Sequence, residues 1–535
     1  MPSNTLTAFL DDLADQAGEA TAIEYCGDQG GRTISFAELA DRSRRTARGL
    51  AELGIGAGDR VALWLPNAPA WLELFFACAR LSAIVVAVNT RFRAHEVGDI
   101  VGRSNARALV MWPDFNGIDF PGILAGVDAA ALAALENVIV YGEDDSSEGG
   151  GEIAGRPALD YGTLAAAAPF EDDHAHADAG CIVFTTSGTT SKPKFVLHPQ
   201  CSHVDHARAV APALGYDAPD AVMLASLPLA GTFGMASMLG GLAGARPTLL
   251  MPTFVAEEAA RLVRACSVTH MNGSDEMYLR MLETQREEKP FPSLRCCGFA
   301  AFNTDPAEVV AIGDRRGLPL IGAYGMSEVQ ALFAMRDPAA PSAKRMRGGG
   351  QPVSPVTQVR VRDPDTGELL GEGEQGELEI KGPSMMSEYL GNPEATAKTL
   401  TEDGFIRSGD LGYLEPNGGF TYLSRMGDTL RLGGYLVAPE EISNYLEGHP
   451  DVAGAQVVGV AGARGARAVA FVLMSEGAAF SESDLLAHCA GGLARFKVPV
   501  RIFTVGSFPV TDSANGVKVQ RGKLREMAAS LIDEG

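Results

Sequence analysis

The sequence predicts an α/β protein with an antiparallel, strand-rich part and a compact α+β unit toward its C-terminal end. Three observations carry that expectation. Apolar strand-like runs alternate with helical periods through the first three hundred or so residues. Short strands and turns take over after about residue 350, and a mixed pattern of helix and strands begins near Leu430. At 535 residues the chain exceeds one ordinary core, and roughly 150 residues per domain suggests about three units.

The elements follow in chain order. Phe36–Leu53 has a helical period and stops at Gly54; Arg60–Leu65 reads as a short strand, Ala68–Leu81 as a second helix and Ala83–Val88 as a fully apolar strand. The acidic, Gly/Ser-rich stretch 141–157 reads as an exposed loop inside a domain. Cys181–Phe184 is a buried strand. The alternation continues at Val222–Leu227, Arg246–Met251 and Leu318–Ile321, which implies sheets with helices on both faces. Then Val356–Val361, the turn 363–368 and Glu377–Ile380 imply an antiparallel or barrel-like subdomain. A helix near Glu440–Leu446 and strands at Ala455–Val460 and Ala468–Leu473 form the last unit.

Composition excludes several classes. Hydrophobic content of 46% with 21% charge is that of a soluble globular protein, and no apolar run reaches the ~18 residues of a membrane helix. The first twenty residues lack a basic start and a long apolar stretch, so no secretory signal is expected. A formal charge of −23 argues against nucleic acid or an anionic membrane as partner. Basic residues nevertheless concentrate late: Arg495, Lys497, Arg501, Lys518, Arg521, Lys523 and Arg525 face only Asp512 between residues 494 and 525. Eight cysteines show no CxxC spacing, and the adjacent Cys296 and Cys297 read as core thiols. A reduced, cytoplasmic protein without structural zinc follows.

The stretch TTSGTTSKPK, Thr185 to Lys194, leaves the 181–184 strand abruptly and concentrates hydroxyls, glycine and two lysines. Backbone N–H groups and hydroxyls turned toward one centre, with Lys192 and Lys194 adding charge, suit a polyphosphate. It does not fit the GxxxxGK[ST] loop. It resembles the TSGTTGxPKG signature of the adenylate-forming enzymes, the superfamily of acyl-CoA synthetases, aryl-CoA ligases, adenylation domains and luciferases. Four further segments resemble the same family in the same order: GAYGMSE at 322–328, SGDLGYL at 408–414, YLSRMGDTLRLGGYLVAPEEI at 422–442, and FPVTDSANGVKVQRGKLR at 508–525. With weaker matches at 226–234, 376–383 and 389–396, the resemblance spans roughly residues 30–530.

The resemblance implies a large N-terminal domain, 1–424, of two α/β sheets plus a β-barrel-like part. A hinge at 425–428 centred on Asp428 would join it to a small mobile α+β domain, 429–535. It implies ATP, Mg²⁺ and coenzyme A as cofactors and a carboxylic acid as substrate, with Lys518, Glu328 and Ser327 catalytic and Glu328 holding the metal. The ATP site would draw on Thr186, Ser187, Gly188, Thr189, Thr190, Lys192, Lys194, Gly298, Phe299, Ala300, Gly322, Ala323, Tyr324, Gly325, Asp410, Tyr422 and Arg425. In it Tyr324 offers a flat face to the purine and Asp410 accepts from the ribose hydroxyls. Gly433 and Gly434 would line the coenzyme A channel. Phe233, His270, Asn272, Gly273, Met326 and Val329 would form the acyl pocket, with Phe299 narrowing it. Their apolar and small character, without lysine or arginine, implies an uncharged aryl or medium-chain acid.

Some positions depart from the family pattern. Ser191 and Phe195 stand where glycines are usual, which implies a less flexible loop; Gly231 replaces a frequent histidine, Ser424 and Gly427 differ before Arg425 and Asp428, and the turn before Lys518 is longer. The expected activity is a two-step ligation: formation of an acyl-adenylate, rotation about Asp428, then thioester formation. The alternatives are a stand-alone enzyme that loads a carrier protein, a luciferase-like oxygenase, and a degenerate nucleotide-binding scaffold. Oligomeric state stays open, a homodimer included.

Overall fold

The computed structural model describes residues 4–27, 30–142, 150–186, 193–300, 306–426, 430–432, 435–437, 439–460, 466–493, 497–513 and 516–533. The first helix boundaries show how locally the chain is encoded. Phe36–Glu52 starts where the Ser35 hydroxyl accepts the Glu38 N–H and stops at Leu53, with Gly54 beyond it at φ 77°. The next helix, Pro69–Arg80, places proline at its first position, where the missing N–H costs nothing.

The apolar strands Arg60–Trp64, Ile84–Ala87, Ala108–Met111, Asn137–Val140, Arg156–Asp160 and Gly180–Thr185 pair in parallel within a nine-stranded sheet. Near-continuous burial of the first four of these strands and of Gly180–Thr185 is the signature of a sheet covered on both faces, whereas Arg156–Asp160 buries only Ala158. The strand Phe195–Pro199 returns antiparallel to Gly180–Thr185. Part of the expected loop at 141–157 is instead structured: Glu152–Ile153 pairs antiparallel with Arg156–Asp160, joined by Ala154 and Gly155 at positive φ, while residues 143–149 lie outside the described set.

A second, fourteen-stranded sheet has a parallel half containing Met223–Ala225, Thr248–Leu250, His270–Ser274, Cys296–Ala300 and Leu320–Met326. The strand Leu320–Met326 then turns back antiparallel into Gln330–Met335, and ladders continue through Gly349–Pro352, Phe420–Arg425, Ile406–Leu414, Gly376–Lys381 and Gln358–Arg362. The barrel-like part expected after residue 350 is therefore hydrogen-bonded to the second sheet without a break.

Beyond residue 430 the antiparallel pair Val452–Val460 and Arg467–Met474, with Arg501–Thr504 in parallel, packs with the helix Pro439–Glu447. The hydrophobic clusters of this part draw only on residues from Leu430 onward, whereas the clusters before it end at Tyr422. All eight cysteines are free, and burial pushes the Cys296 thiol up to about 12. Among the described residues no helix is long and apolar enough to cross a membrane.

Candidate active site

The site gathers where the hairpin Leu320–Met326/Gln330–Met335 meets the strands Phe195–Pro199 and Ile406–Leu414. Gly325 is required there: a Cβ would sit 2.5 Å from Ala331 Cα. In the tight return, Gln330 and Leu332 adopt φ of 66° and 58°, a conformation that costs a non-glycine residue roughly 1–2 kcal/mol. Buried polar side chains hold the turn in place. His198 Nε2 bonds the Ser327 carbonyl and His206 Nε2 the Ala331 carbonyl, both at 2.7 Å, and Gln330 Nε2 donates to Ser202 O at 3.0 Å. Burial lowers both histidines to about 4, so each is a neutral hydrogen-bonding ring at ordinary pH.

Glu328 is buried on this turn. Its Oε1 accepts the Tyr389 hydroxyl at 2.6 Å, and Lys194 Nζ lies over the Tyr389 ring, 4.4 Å from its centre. Burial, then the Glu328 charge, keeps the Tyr389 hydroxyl protonated as a donor. Lys194 also ties off the 185–194 loop: its carbonyl accepts the Thr186 N–H at 3.1 Å and its N–H meets the Thr186 hydroxyl at 3.2 Å. Ser187, Gly188, Thr189, Thr190, Ser191 and Lys192 lie outside the described residues. Phe195, the departure after the last lysine, is the first strand residue; it is 2% exposed, with the Arg103 guanidinium 4.1 Å above its ring.

Asp410 forms the second half of the site. It pairs across the ladder with Arg425. Its Oδ2 accepts the Tyr324 hydroxyl at 2.6 Å, while Oδ1 faces the Arg425 guanidinium at 3.1 Å without an aligned hydrogen bond from any described residue. Burial raises the Asp410 carboxyl to about 6 against the pull of Arg425. A buried carboxylate oxygen with spare acceptor capacity fits the paired hydroxyls of a ribose. Tyr324 contributes mainly its hydroxyl: Phe333, Phe420 and Tyr422 surround its ring, leaving it 5% exposed. For Mg²⁺ the fit rests on Glu328, a hard oxygen donor; among the described residues no cluster of three ligating side chains occurs, and Mg²⁺ commonly takes one or two carboxylates plus phosphate oxygens.

The expected acyl pocket divides by sheet face, since successive strand residues point to opposite sides. Asn272, Gly298 and Ile321 form one row across three parallel strands, with Ala300 and Ala323 two residues nearer the site. Phe299 points the other way and packs with Met271, Cys297 and Tyr278, so it does not narrow this pocket. Gly273 shares that rear face, beside Met277 and Tyr278. Val329 is fully buried among Tyr324, Phe333 and Leu378 in the antiparallel half, with Met326 packed against the same core; neither belongs to the apolar group around Phe233. His270 sits at the start of its strand and lines, with Leu214, Cys296, Ile321, Met335 and Val353, a cleft of about 510 Å³ at the end remote from Glu328. Gly322 and Tyr422 stand at the border of the two halves: a Cβ on Gly322 would meet Arg347 O at 2.5 Å, and the Tyr422 ring lies 5.6 Å from that of Tyr324.

Lys518 is in the strand Gly516–Val519, paired with Thr511 of Val510–Ser513. Asp428, Gly433 and Gly434 lie outside the described residues. Motif reading missed Tyr389, although the segment 389–396 is one of the weaker matches, and it missed His198, His206, Tyr216 and Ser237. Only tertiary contacts give those residues a place.

The AMP-binding enzyme family profile matches residues 10–390 and that of the AMP-binding enzyme C-terminal domain matches 441–515; the chain belongs to this family. It is 31% identical to a feruloyl-CoA synthase of an Amycolatopsis species over 519 residues, 96% of each chain. It is 30% identical to the 2-succinylbenzoate–CoA ligase of Geobacillus kaustophilus over 482 residues, 90% of this chain and 91% of the relative. The ATP-bound crystal structure of MatB from Rhodopseudomonas palustris superposes with a TM-score of 0.83 at 27% identity, covering 98% of this chain and 99% of that one.

Proposed function

We propose that this chain ligates an uncharged aryl or medium-chain carboxylic acid to coenzyme A, and that the residues gathered around Glu328 and Asp410 do the work. ATP-dependent, AMP-forming acid–CoA ligation is the activity its family and relatives support. The observation that carries the site assignment is the Asp410 carboxylate, buried between Tyr324 and Arg425 with an oxygen left to bind a ribose.

In the first step a carboxylate oxygen of the acid attacks the α-phosphorus of ATP, the bond to pyrophosphate breaks, and an acyl-adenylate forms. The chain's task is to neutralise and orient phosphate charge. Lys194 and the 186–192 hydroxyls would face the phosphates, Asp410 and Arg425 would hold the ribose and its phosphate, and Lys518 would meet the carboxylate and α-phosphate. Mg²⁺ bound by Glu328 would supply further charge neutralisation on the phosphate oxygens. In the second step the thiol sulfur attacks the acyl carbon and AMP leaves. Residues 429–535 would rotate about Asp428 between the steps, replacing Lys518 with the backbone around Gly433 and Gly434 beside the coenzyme A thiol. A cytoplasmic location belongs to the same proposal, supported by eight unpaired cysteines.

The test is carboxylate-dependent pyrophosphate release over a panel of aryl and fatty acids, each with and without coenzyme A. Release with one class, and thioester only when coenzyme A is present, is the expected result. Adenylate formation without thioester would instead indicate a carrier-protein acceptor.

A further inference from the structure

Asn272 lies two residues deeper along its strand than Ser274, in the row Asn272–Gly298–Ile321, and is 2% exposed. Its Nδ2 is fully used, donating to the Tyr216 hydroxyl at 2.7 Å and to Ser237 Oγ at 3.0 Å. Its Oδ1 is buried and accepts nothing from any described residue. The oxygen is directed over the neighbouring strand, where a Cβ on Gly298 would lie 2.3 Å from it. Glycine at that position is what leaves the oxygen uncovered. A buried acceptor left unmet keeps its full desolvation penalty, so the arrangement is favourable only when a donor arrives.

The surroundings specify that donor. Phe233, Ile321, Leu332 and Met335 make the neighbouring cluster apolar, and Ala300, Ala323 and Ala331 line its edge toward the site with small side chains. Among the described residues no free charge waits at the base. His270, stacked edge-on against Tyr216 at 5.1 Å, is bonded to Thr269 Oγ1 at 2.7 Å, and burial lowers it to about 4, so it is neutral. Arg336 is committed to Glu415, Thr421 and the Gly348 carbonyl, and Arg295 to Asp220. A second carboxylate on the substrate would therefore find no counter-charge. The Ala300–Ala323 row stands two residues above Asn272, about 6.6 Å along the strands, which is the reach of one benzene ring bearing a polar substituent.

We propose that Asn272 Oδ1 is the specificity determinant for a neutral hydrogen-bond donor, a hydroxyl or amino group, on the ring of an aryl acid, at the end remote from its carboxylate. This rests on the ligase reading above and narrows its substrate class from aryl or aliphatic to donor-bearing aryl. A site built to satisfy a substrate hydroxyl rejects the analogue without it strongly, because its own buried group is then left unpaired.

The experiment compares kcat/KM for pyrophosphate release with benzoate and its 3- and 4-hydroxy, 4-amino, 4-methoxy and 4-fluoro derivatives, using the full-length enzyme. At least a tenfold advantage of a hydroxy or amino acid over benzoate and over the matched methoxy and fluoro acids is expected, and N272L should bring that ratio to about one. Equal turnover across the series, preference for the methoxy or fluoro acids, or turnover of alkanoates alone would overturn the proposal. Calorimetric binding of the same acids in the presence of ATP keeps the two readings apart. A donor preference in binding without pyrophosphate release would retain the Asn272 assignment and remove the ligase reading; release that is indifferent to the donor would do the reverse. Because the wild-type series needs no variant, a folding defect in N272L leaves the comparison decisive.

Discussion

Tyr324 donates its hydroxyl to Asp410 Oδ2 at 2.6 Å, across 86 residues of sequence, and thereby fixes the one buried carboxylate oxygen that Arg425 does not face. The tyrosine ring is anchored by Phe420 and Phe333, so the carboxylate is positioned by the hydrophobic core of the antiparallel half. Y324F should raise KM for ATP about tenfold with a smaller change in kcat, since a hydrogen bond to a charged group contributes roughly 1.5–3 kcal/mol. D410A should raise it further. Steady-state kinetics with ATP as the varied substrate read both, and an unchanged KM in Y324F would detach this pair from nucleotide binding.

Protonation of Asp410 should be visible in nucleoside binding. Burial raises its carboxyl to about 6, so the carboxylate that accepts from ribose is lost as pH falls through that value. Folding stability runs in the opposite sense. A raised folded value means that this group's contribution is present below the ordinary carboxylate range and is lost as pH rises through about 6. Calorimetry with adenosine, which has no phosphate to titrate, should show weaker binding at pH 5 than at pH 8, and D410N should flatten the difference.

Glu328 and Tyr389 should behave unequally. E328Q should cut adenylation by roughly a hundredfold, in line with losing one group aimed at developing charge, and should raise the Mg²⁺ concentration needed for half activity. Y389F leaves the carboxylate but releases its orientation, so the same shift in Mg²⁺ dependence should be smaller. Titration of activity with Mg²⁺ at fixed ATP checks both, and equal defects in the two variants would argue for a shared structural failure.

Lys518 should separate the half-reactions. K518A is expected to lose pyrophosphate release while still converting supplied acyl-adenylate and coenzyme A to thioester. Equal loss of both would mean that the lysine serves the fold or both steps alike.

Phe195 should prove structural. Restoring glycine there removes a buried ring from the cluster that holds Val183 and Leu197 and strips the Arg103 guanidinium of its aromatic partner. By analogy with large-to-small core changes, F195G should destabilise by at least about 3 kcal/mol, read as a lowered midpoint in thermal unfolding. A variant of unchanged midpoint with faster adenylation would instead assign the residue to loop control.

The strands and helices were legible along the chain because each is written locally: a serine cap and a glycine stop delimit 36–52, and continuous apolar runs become the buried parallel strands. The five motifs identified the family for a related reason, since backbone turns and charged groups that meet a nucleotide need particular residues close together in sequence. Which face a strand residue presents is a different kind of fact. Phe299, Gly273 and Asn272 all belong to neighbouring strands of one sheet, yet the alternation of side chains and the register between strands send the first two to the rear and the third toward Tyr216 and Ser237. In the same way, Tyr389 reaches Glu328, and His198 the Ser327 carbonyl, only because distant strands are packed side by side. Sequence by itself determined the elements and the chemistry of the loops. Tertiary structure decided which side chains share a pocket, because that depends on register and packing between segments 35 to 129 residues apart.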